Sequence, residues 1–136
     1  MYWGNSSGGG KGKGDGPWVM GDLENGLFAG QDHVAAEPSV VGMKFVTAMV
    51  KGDSGNHWAI KVGDAQKGAL KTVFDGERPK GYSPMKKQGS IILGIGGDNS
   101  DRSVGTFYEG VMTAGYSTDA ADDAVQANIV STLYGK

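Results

Sequence analysis

At 136 residues, with 13 Lys and Arg against 15 Asp and Glu, a formal net charge of -2 and no cysteine, the chain is sized for one domain with a core of its own. Its dispersed cations supply no field to grip a phosphate backbone, and no apolar run approaches the ~20 residues that span a bilayer, so nucleic acid and membrane drop out as partners. The lack of cysteine removes disulfides, thiolate chemistry and cysteine zinc sites, and Met-Tyr-Trp-Gly-Asn at the start has neither the basic nor the apolar region of a secretory signal.

Glycine is the compositional outlier, 25 of 136 residues, well over twice the ~7% average. Helices tolerate that poorly, whereas turns, bulges and close backbone approaches use it. Residues 4–16, built from Gly8 onward of glycine and lysine with Asp15 as the one exception, have no periodicity and read as a glycine-rich surface loop. The loop is no phosphate cradle, because Ser7 stands where the Gly12-Lys13 pair needs a glycine and Gly14 follows Lys13 where Ser or Thr belongs. Gly94 to Asn99 fails the dinucleotide pattern in the same way, at Asn99.

Beyond the loop, side chains alternate with period two. The sets are Trp18, Met20, Asp22 and Glu24; Met43, Phe45, Thr47 and Met49; Trp58, Ile60 and Val62; Leu70, Thr72 and Phe74; Leu93 and Ile95; and Phe107, Glu109 and Val111. Turn clusters at Lys51 to Asn56 and Gly76 to Gly81 separate them, the rhythm of an all-β, two-sheet antiparallel sandwich. One short C-terminal helix is expected within Ser117 to Gly135. Its packing stripe would be Ala121, Val125, Ile129 and Leu133, its first turn carries Asp119, Asp122 and Asp123, and Gly135 is its stop.

Chemistry concentrates in two acids that end apolar, glycine-punctuated runs. On an extended Trp18 to Glu24, Asp22 and Glu24 share a face with Trp18 and Met20, so two acids overlook an aromatic floor. The plainer alternative is a type I′ turn at Asn25-Gly26 with exposed acids beside it. Asp98 follows Ile92, Gly94 and Gly96 on one face, with open space left by the glycines; the plainer alternative is a loop Asp with Gly97 in a positive-φ conformation. Two such carboxylates point to glycoside hydrolysis. Glu109 is a reserve acid on its strand. His33 and His57 have no metal-ligand spacing and read as surface or strand histidines, so no metal and no cofactor are expected. No G-x-S-x-G is present, and Asp98 to Asp101 lacks the later ligands of a calcium loop.

Four blocks, Gly14-Asp-Gly-Pro-Trp-Val-Met-Gly-Asp-Leu-Glu-Asn-Gly-Leu-Phe28, Ile91-Ile-Leu-Gly-Ile-Gly-Gly-Asp-Asn-Ser100, Gly105-Thr-Phe-Tyr-Glu-Gly-Val-Met-Thr113 and Val125-Gln-Ala-Asn-Ile129, together resemble the arabinofuranosidase B family, family fifty-four of the glycoside hydrolases. The resemblance implies a concanavalin-like sandwich. It also implies an enzyme that releases terminal non-reducing α-L-arabinofuranosyl residues from arabinose-containing polysaccharides and oligosaccharides such as arabinoxylan and arabinan, with retention, outside the cell. By the same resemblance Glu24 matches the nucleophile and Asp98 the acid/base; Asp22 and Asn25 match residues that bind the arabinose hydroxyls, and Gly97 one whose backbone lines the pocket. Retention in such a pair needs the carboxyl groups only about 5 Å apart.

The family's catalytic domain begins upstream of Met1 and includes an adjacent-cysteine disulfide that contacts the sugar. Residues 1–136 hold no such pair and are therefore expected to be the C-terminal portion of that domain, a fragment ending before the β-trefoil that follows in the family. The family's tryptophan in the glycine-rich loop has no clear match, since Gly9 stands at its place and Trp3 lies earlier. Two further readings stay open: a carbohydrate-binding, lectin-like sandwich without hydrolysis, and an inactive fragment lacking the upstream half of the site.

Overall fold

The computed structural model describes residues 2–4, 16–22, 27–31, 39–82 and 105–136. Among these, six strands and one helix follow in order: β1 (Tyr2–Gly4), β2 (Trp18–Asp22), β3 (Leu27–Phe28), β4 (Val46–Gly52), β5 (His57–Asp64), β6 (Lys67–Glu77) and α1 (Asp119–Ser131). They form two three-stranded antiparallel sheets, β1-β2-β3 and β4-β5-β6. The expected strand at Leu93 and Ile95 lies outside the described residues.

β5 is the hub, and its sequence says why. Trp58, Ile60 and Val62 alternate onto one face, where they pack with Val19 of β2, Phe28 of β3 and Val40. Ala59, Lys61 and Gly63 fall on the other face, and all of Trp58 to Gly63 is buried. A strand covered on both sides loses the polar-out alternation of a solvent-facing sheet. The β4–β5 connection is closed by Asp53, whose N–H donates to the His57 carbonyl at 3.2 Å and whose carboxylate accepts from His57 N–H at 3.3 Å. At the far end, Asp64 accepts from the Gln66 N–H at 2.9 Å to tighten the turn into β6.

The first strand of this sheet starts three residues later than the alternation from Met43 suggested, because the Phe45 carbonyl is taken by Ala65 N–H at the sheet's end, 3.0 Å away, before the β4 ladder begins at Val46. It then runs on through Lys51 and Gly52, into what the turn cluster had suggested was loop. β6 likewise extends through Gly76 and Glu77, with register shifts opposite Ile60/Lys61 and Val62/Asp64 that mark bulges. The strand expected at Phe107 to Val111 is not formed. Phe107, Tyr108, Val111 and Met112 are exposed, and no described strand offers that stretch a ladder of hydrogen bonds.

α1 is where sequence and structure differ most. Thr118 caps it, its side chain accepting from the Ala121 N–H at 3.2 Å, with Asp119 and Asp122 in the first turn. The face it buries is not the apolar stripe. Asp122 and Gln126 are 3% and 1% exposed, whereas Val125 and Leu133 are 41% and 50% exposed. The reason is what the sheet presents. Lys51 and Lys61, diagonal neighbours on β4 and β5, put two ammonium groups under the helix, and only a carboxylate answers them. Asp122 Oδ2 receives Lys51 Nζ at 2.6 Å and Lys61 Nζ at 2.8 Å, while Oδ1 accepts from the Ser117 hydroxyl at 2.5 Å. Asp119, at the exposed rim, takes Lys61 at 2.6 Å and Lys51 at 3.3 Å. The Tyr116 ring lies 4.2 Å from Lys51 Nζ, a cation–π contact over the same charge.

One turn on, Gln126 donates to the carbonyls of Asp64 at 2.9 Å and Gly68 at 3.3 Å. That approach requires Gly63, since a Cβ there would stand 2.9 Å from the Gln126 amide nitrogen. The helix ends at Ser131, four residues before the expected stop, with Leu133 in the left-handed region at φ 60. Gly135 serves packing instead: it sits at φ 73 against the Phe45 ring, which stacks with Tyr134 at 5.6 Å.

Burial alone would raise the Asp122 carboxyl, but the hydrogen bonds from Lys51, Lys61 and Ser117 outweigh it and hold it at about 2. Both ammonium groups are pushed the opposite way, upward, because their bonds to the two carboxylates overcome the same desolvation. Asp122→Ala therefore strands two buried cations and is expected to cost about 3 kcal/mol, near the low end for a broken buried pair because Asp119 leaves the rim open to water. Urea unfolding checks this, and an unchanged midpoint would contradict it. A depressed carboxyl contributes stability above its unfolded value of about 3.9 and loses it as pH falls towards about 2; the helix signal in circular dichroism should thus weaken across that window in wild type and much less in Asp122→Ala. Gly63→Ala drives a methyl into the twice-bonded Gln126 amide and should lower stability by about 1–2 kcal/mol in the same urea experiment.

Candidate active site

β2 is the element that carries the first acid block, and it is fixed from both sides. Val19, fully buried, faces Trp58, Ile60 and Val62 of β5, while Trp18 and Met20 pack with Ala29 against Phe74 of β6. Trp18 and Met20 were expected to form an aromatic floor overlooked by the acids. Both are core residues, packed with Ala29 and Phe74, and the Trp18 indole N–H has no hydrogen-bond partner among the described residues. β1 flanks β2 on its other edge, Trp3 opposite Val19.

Asp22 is the last residue of β2 and pairs with Leu27 of β3, as Gly21 pairs with Phe28. A two-residue turn at Asn25-Gly26 would have paired Glu24 with Leu27. The observed register differs from that, so the sequence midpoint between the paired ends falls between Glu24 and Asn25. Glu24 and Asn25 themselves lie outside the described residues, as do Gly97, Asp98 and His33. Of the predicted site, then, the structure brings one member, Asp22, to the end of a buried strand. Of the glycine-rich loop, only Gly4 and Gly16 are described, and Gly16 precedes Pro17 through a cis peptide bond.

The other candidates resolve into structural roles. His57 opens β5, its Nε2 2.5 Å from Asp75 Oδ1 and its Nδ1 3.9 Å from Asp53 Oδ2, with its ring 5.0 Å from that of Tyr116. Glu109, expected on a strand, is exposed off any strand and accepts from the Tyr134 hydroxyl at 2.5 Å. Among the described residues no group of three or more His, Cys, Asp or Glu is arranged to hold a metal ion. What sequence reading missed is the ionic seat of α1. Its signal was present as a single Lys61 inside the apolar run Trp58-Ala-Ile-Lys-Val62, a position where an unpaired charge is not tolerated.

Comparison with known proteins places this framework. The family model described as alpha-L-arabinofuranosidase B, catalytic, matches residues 1–135. An alpha-L-arabinofuranosidase of Hypocrea jecorina is 54% identical over 98% of the chain, and a probable alpha-L-arabinofuranosidase B of Aspergillus fumigatus 53% identical over the same share. Two solved structures superpose on 97% of the chain. A GH54 α-L-arabinofuranosidase soaked with a cyclic sulfate inhibitor does so at a TM-score of 0.85 and 52% identity, and an arabinofuranosidase complexed with arabinofuranosyl-α-1,2-xylobiose at 0.82 and 50%. The chain spans only 27% of the length of those curated relatives and 28% of those structures. With its buried β2 ending at Asp22 and a match that runs through Glu24 and Asp98 alike, the chain belongs to the alpha-L-arabinofuranosidase B catalytic family.

Proposed function

We propose that residues 1–136 carry the reacting carboxylates of a retaining α-L-arabinofuranosidase, as the C-terminal portion of its catalytic domain. The observation that carries this reading is the family match over residues 1–135, which takes in Asp22, Glu24, Asn25, Gly97 and Asp98 together. Glu24 attacks the anomeric carbon of a terminal arabinofuranosyl residue while Asp98, protonated, gives its proton to the departing glycosidic oxygen. The covalent arabinosyl ester on Glu24 is then opened by water that Asp98, now a carboxylate, deprotonates. Asp22 and Asn25 hold the sugar hydroxyls and the Gly97 backbone closes the pocket wall.

The substrates are arabinose-bearing side chains of arabinoxylan and arabinan, a reading supported by the arabinofuranosyl-xylobiose complex of the structural neighbour. Polymers of that size lie outside the cell, and the protein acts there. The two antiparallel sheets belong to a concanavalin-like sandwich in this reading, supported by Val19 of one sheet packing on Trp58, Ile60 and Val62 of the other.

A chimera tests the assignment: the Hypocrea jecorina enzyme with its matching stretch replaced by residues 1–136. Release of p-nitrophenol from the aryl α-L-arabinofuranoside is expected, and Glu24→Gln should abolish it by orders of magnitude. Asp98→Asn should lower kcat/KM for substrates with poor leaving groups far more than for the nitrophenyl one, since a good leaving group departs without its proton, whereas kcat falls for both because the ester on Glu24 is common to them. An active chimera whose rate survives Glu24→Gln, or whose Asp98→Asn variant loses kcat/KM equally for both substrates, contradicts these catalytic roles.

A further inference from the structure

From the geometry of a cavity at the end of β6 we infer that this chain holds an accessory binding site for a neutral oligosaccharide, away from the acid-bearing end of β2. A cavity of about 420 Å³, within the ~300–1,000 Å³ typical of small-molecule sites, opens between the segment after β3, the β4–β5 turn and the end of β6. Its walls include Gln31, Asn56, Glu77, Arg78, Lys80 and Tyr82. Because Leu27 lies opposite Asp22 and Phe28 opposite Gly21, β3 carries the chain towards Gln31 in the direction leading away from Asp22.

The cavity is held open by bonds that leave its polar groups available. Arg78 donates one guanidinium nitrogen to the Gly55 carbonyl and the other to the Asp53 carbonyl at 2.6 Å, so its fork is spent on bracing the β4–β5 turn. The Glu77 carbonyl accepts from the Trp58 indole at 3.2 Å, which fixes the end of β6 while leaving the carboxylate exposed. Tyr82 stands edge-on to Phe28 at 5.2 Å, and its N–H donates to the Pro79 carbonyl at 3.1 Å. Asn56 and Lys80 make no side-chain hydrogen bond to a described residue, and Gln31 only reaches Glu77 Oε2 at 3.5 Å, the limit of a hydrogen bond.

That lining selects the ligand. Two amides and a carboxylate present paired acceptors and donors to vicinal hydroxyls, with the Tyr82 ring beside them for the apolar face of a sugar. The Arg78 charge is answered by the Asp53 carboxylate, 3.8 Å away, and Lys80 is set against Glu77, so the cavity has no surplus charge for an anion. The choice of pentose chain rests on the reading under Proposed function: a xylo-oligosaccharide, the backbone that bears arabinose branches.

Titrating xylohexaose into the isotopically labelled chain, with inorganic phosphate as a second probe, tests the site. Saturable shifts of the Gln31, Glu77 and Tyr82 amides are expected, with affinity reduced about tenfold in Glu77→Ala or Gln31→Ala. Both side chains are exposed, and an unchanged helix signal verifies that each variant folds. No saturable shift, affinity unchanged from wild type in both variants, or preference for phosphate would overturn the inference. Binding lost in the variants with an inactive chimera would leave this site standing and remove the activity reading; an active chimera that binds xylohexaose unchanged in both variants would do the reverse.

Discussion

The framework hangs on β5 being buried on both faces. A strand that is covered twice must find a partner for whatever each face presents, and its two faces are chemically unlike. Trp58, Ile60 and Val62 demand apolar cover and receive it from Val19, Phe28 and Val40. Lys61, joined by Lys51 from the neighbouring strand, demands negative charge and receives it from Asp122 and Asp119 of α1. The first demand brings β2 onto the sheet and so positions the strand that ends at Asp22. The second brings α1 onto the opposite face. Hydrophobic burial needs only area, whereas the ion pairs need one register of helix on sheet, so the charged side of β5 gives specificity where the apolar side gives most of the driving force.

The sheets were legible in the sequence because period-two alternation is a local property, and β2, β5 and β6 lie where Trp18, Trp58 to Val62 and Leu70 to Phe74 indicate. The helix was legible as a helix, from its acidic first turn, but its buried face was not. Apolar periodicity chose Val125 and Leu133; the partner surface chose Asp122 and Gln126, and no single segment reveals what another segment will place against it. The strand read at Phe107 to Val111 failed for a related reason. Alternation announces a segment suited to a sheet, but a ladder also requires a neighbour, and no described strand pairs with it.

The candidate site was legible in another way. Neither Asp22 nor Glu24, nor Asp98, is distinguished by spacing alone from acids beside turns; the blocks around them carried the family resemblance, and the family match across residues 1–135 agrees with it. Physical reading then added what resemblance lacks. Trp18 and Met20 serve as core beside Phe74, and the β2–β3 register sets Asp22 opposite Leu27. The cavity beside Glu77 was outside both kinds of reading, because Gln31, Asn56 and Tyr82 come together only when three separate connections meet.

The central claim, that Glu24 is the group that attacks the sugar, is tested most directly by trapping. Incubating the chimera with an arabinofuranose-configured cyclic sulfate and digesting it for mass spectrometry locates the carboxylate that opens the electrophile. The account predicts a single adduct on the peptide that contains Glu24, formed in step with loss of activity. An adduct on another carboxylate, or full inactivation with Glu24 unmodified, would contradict it.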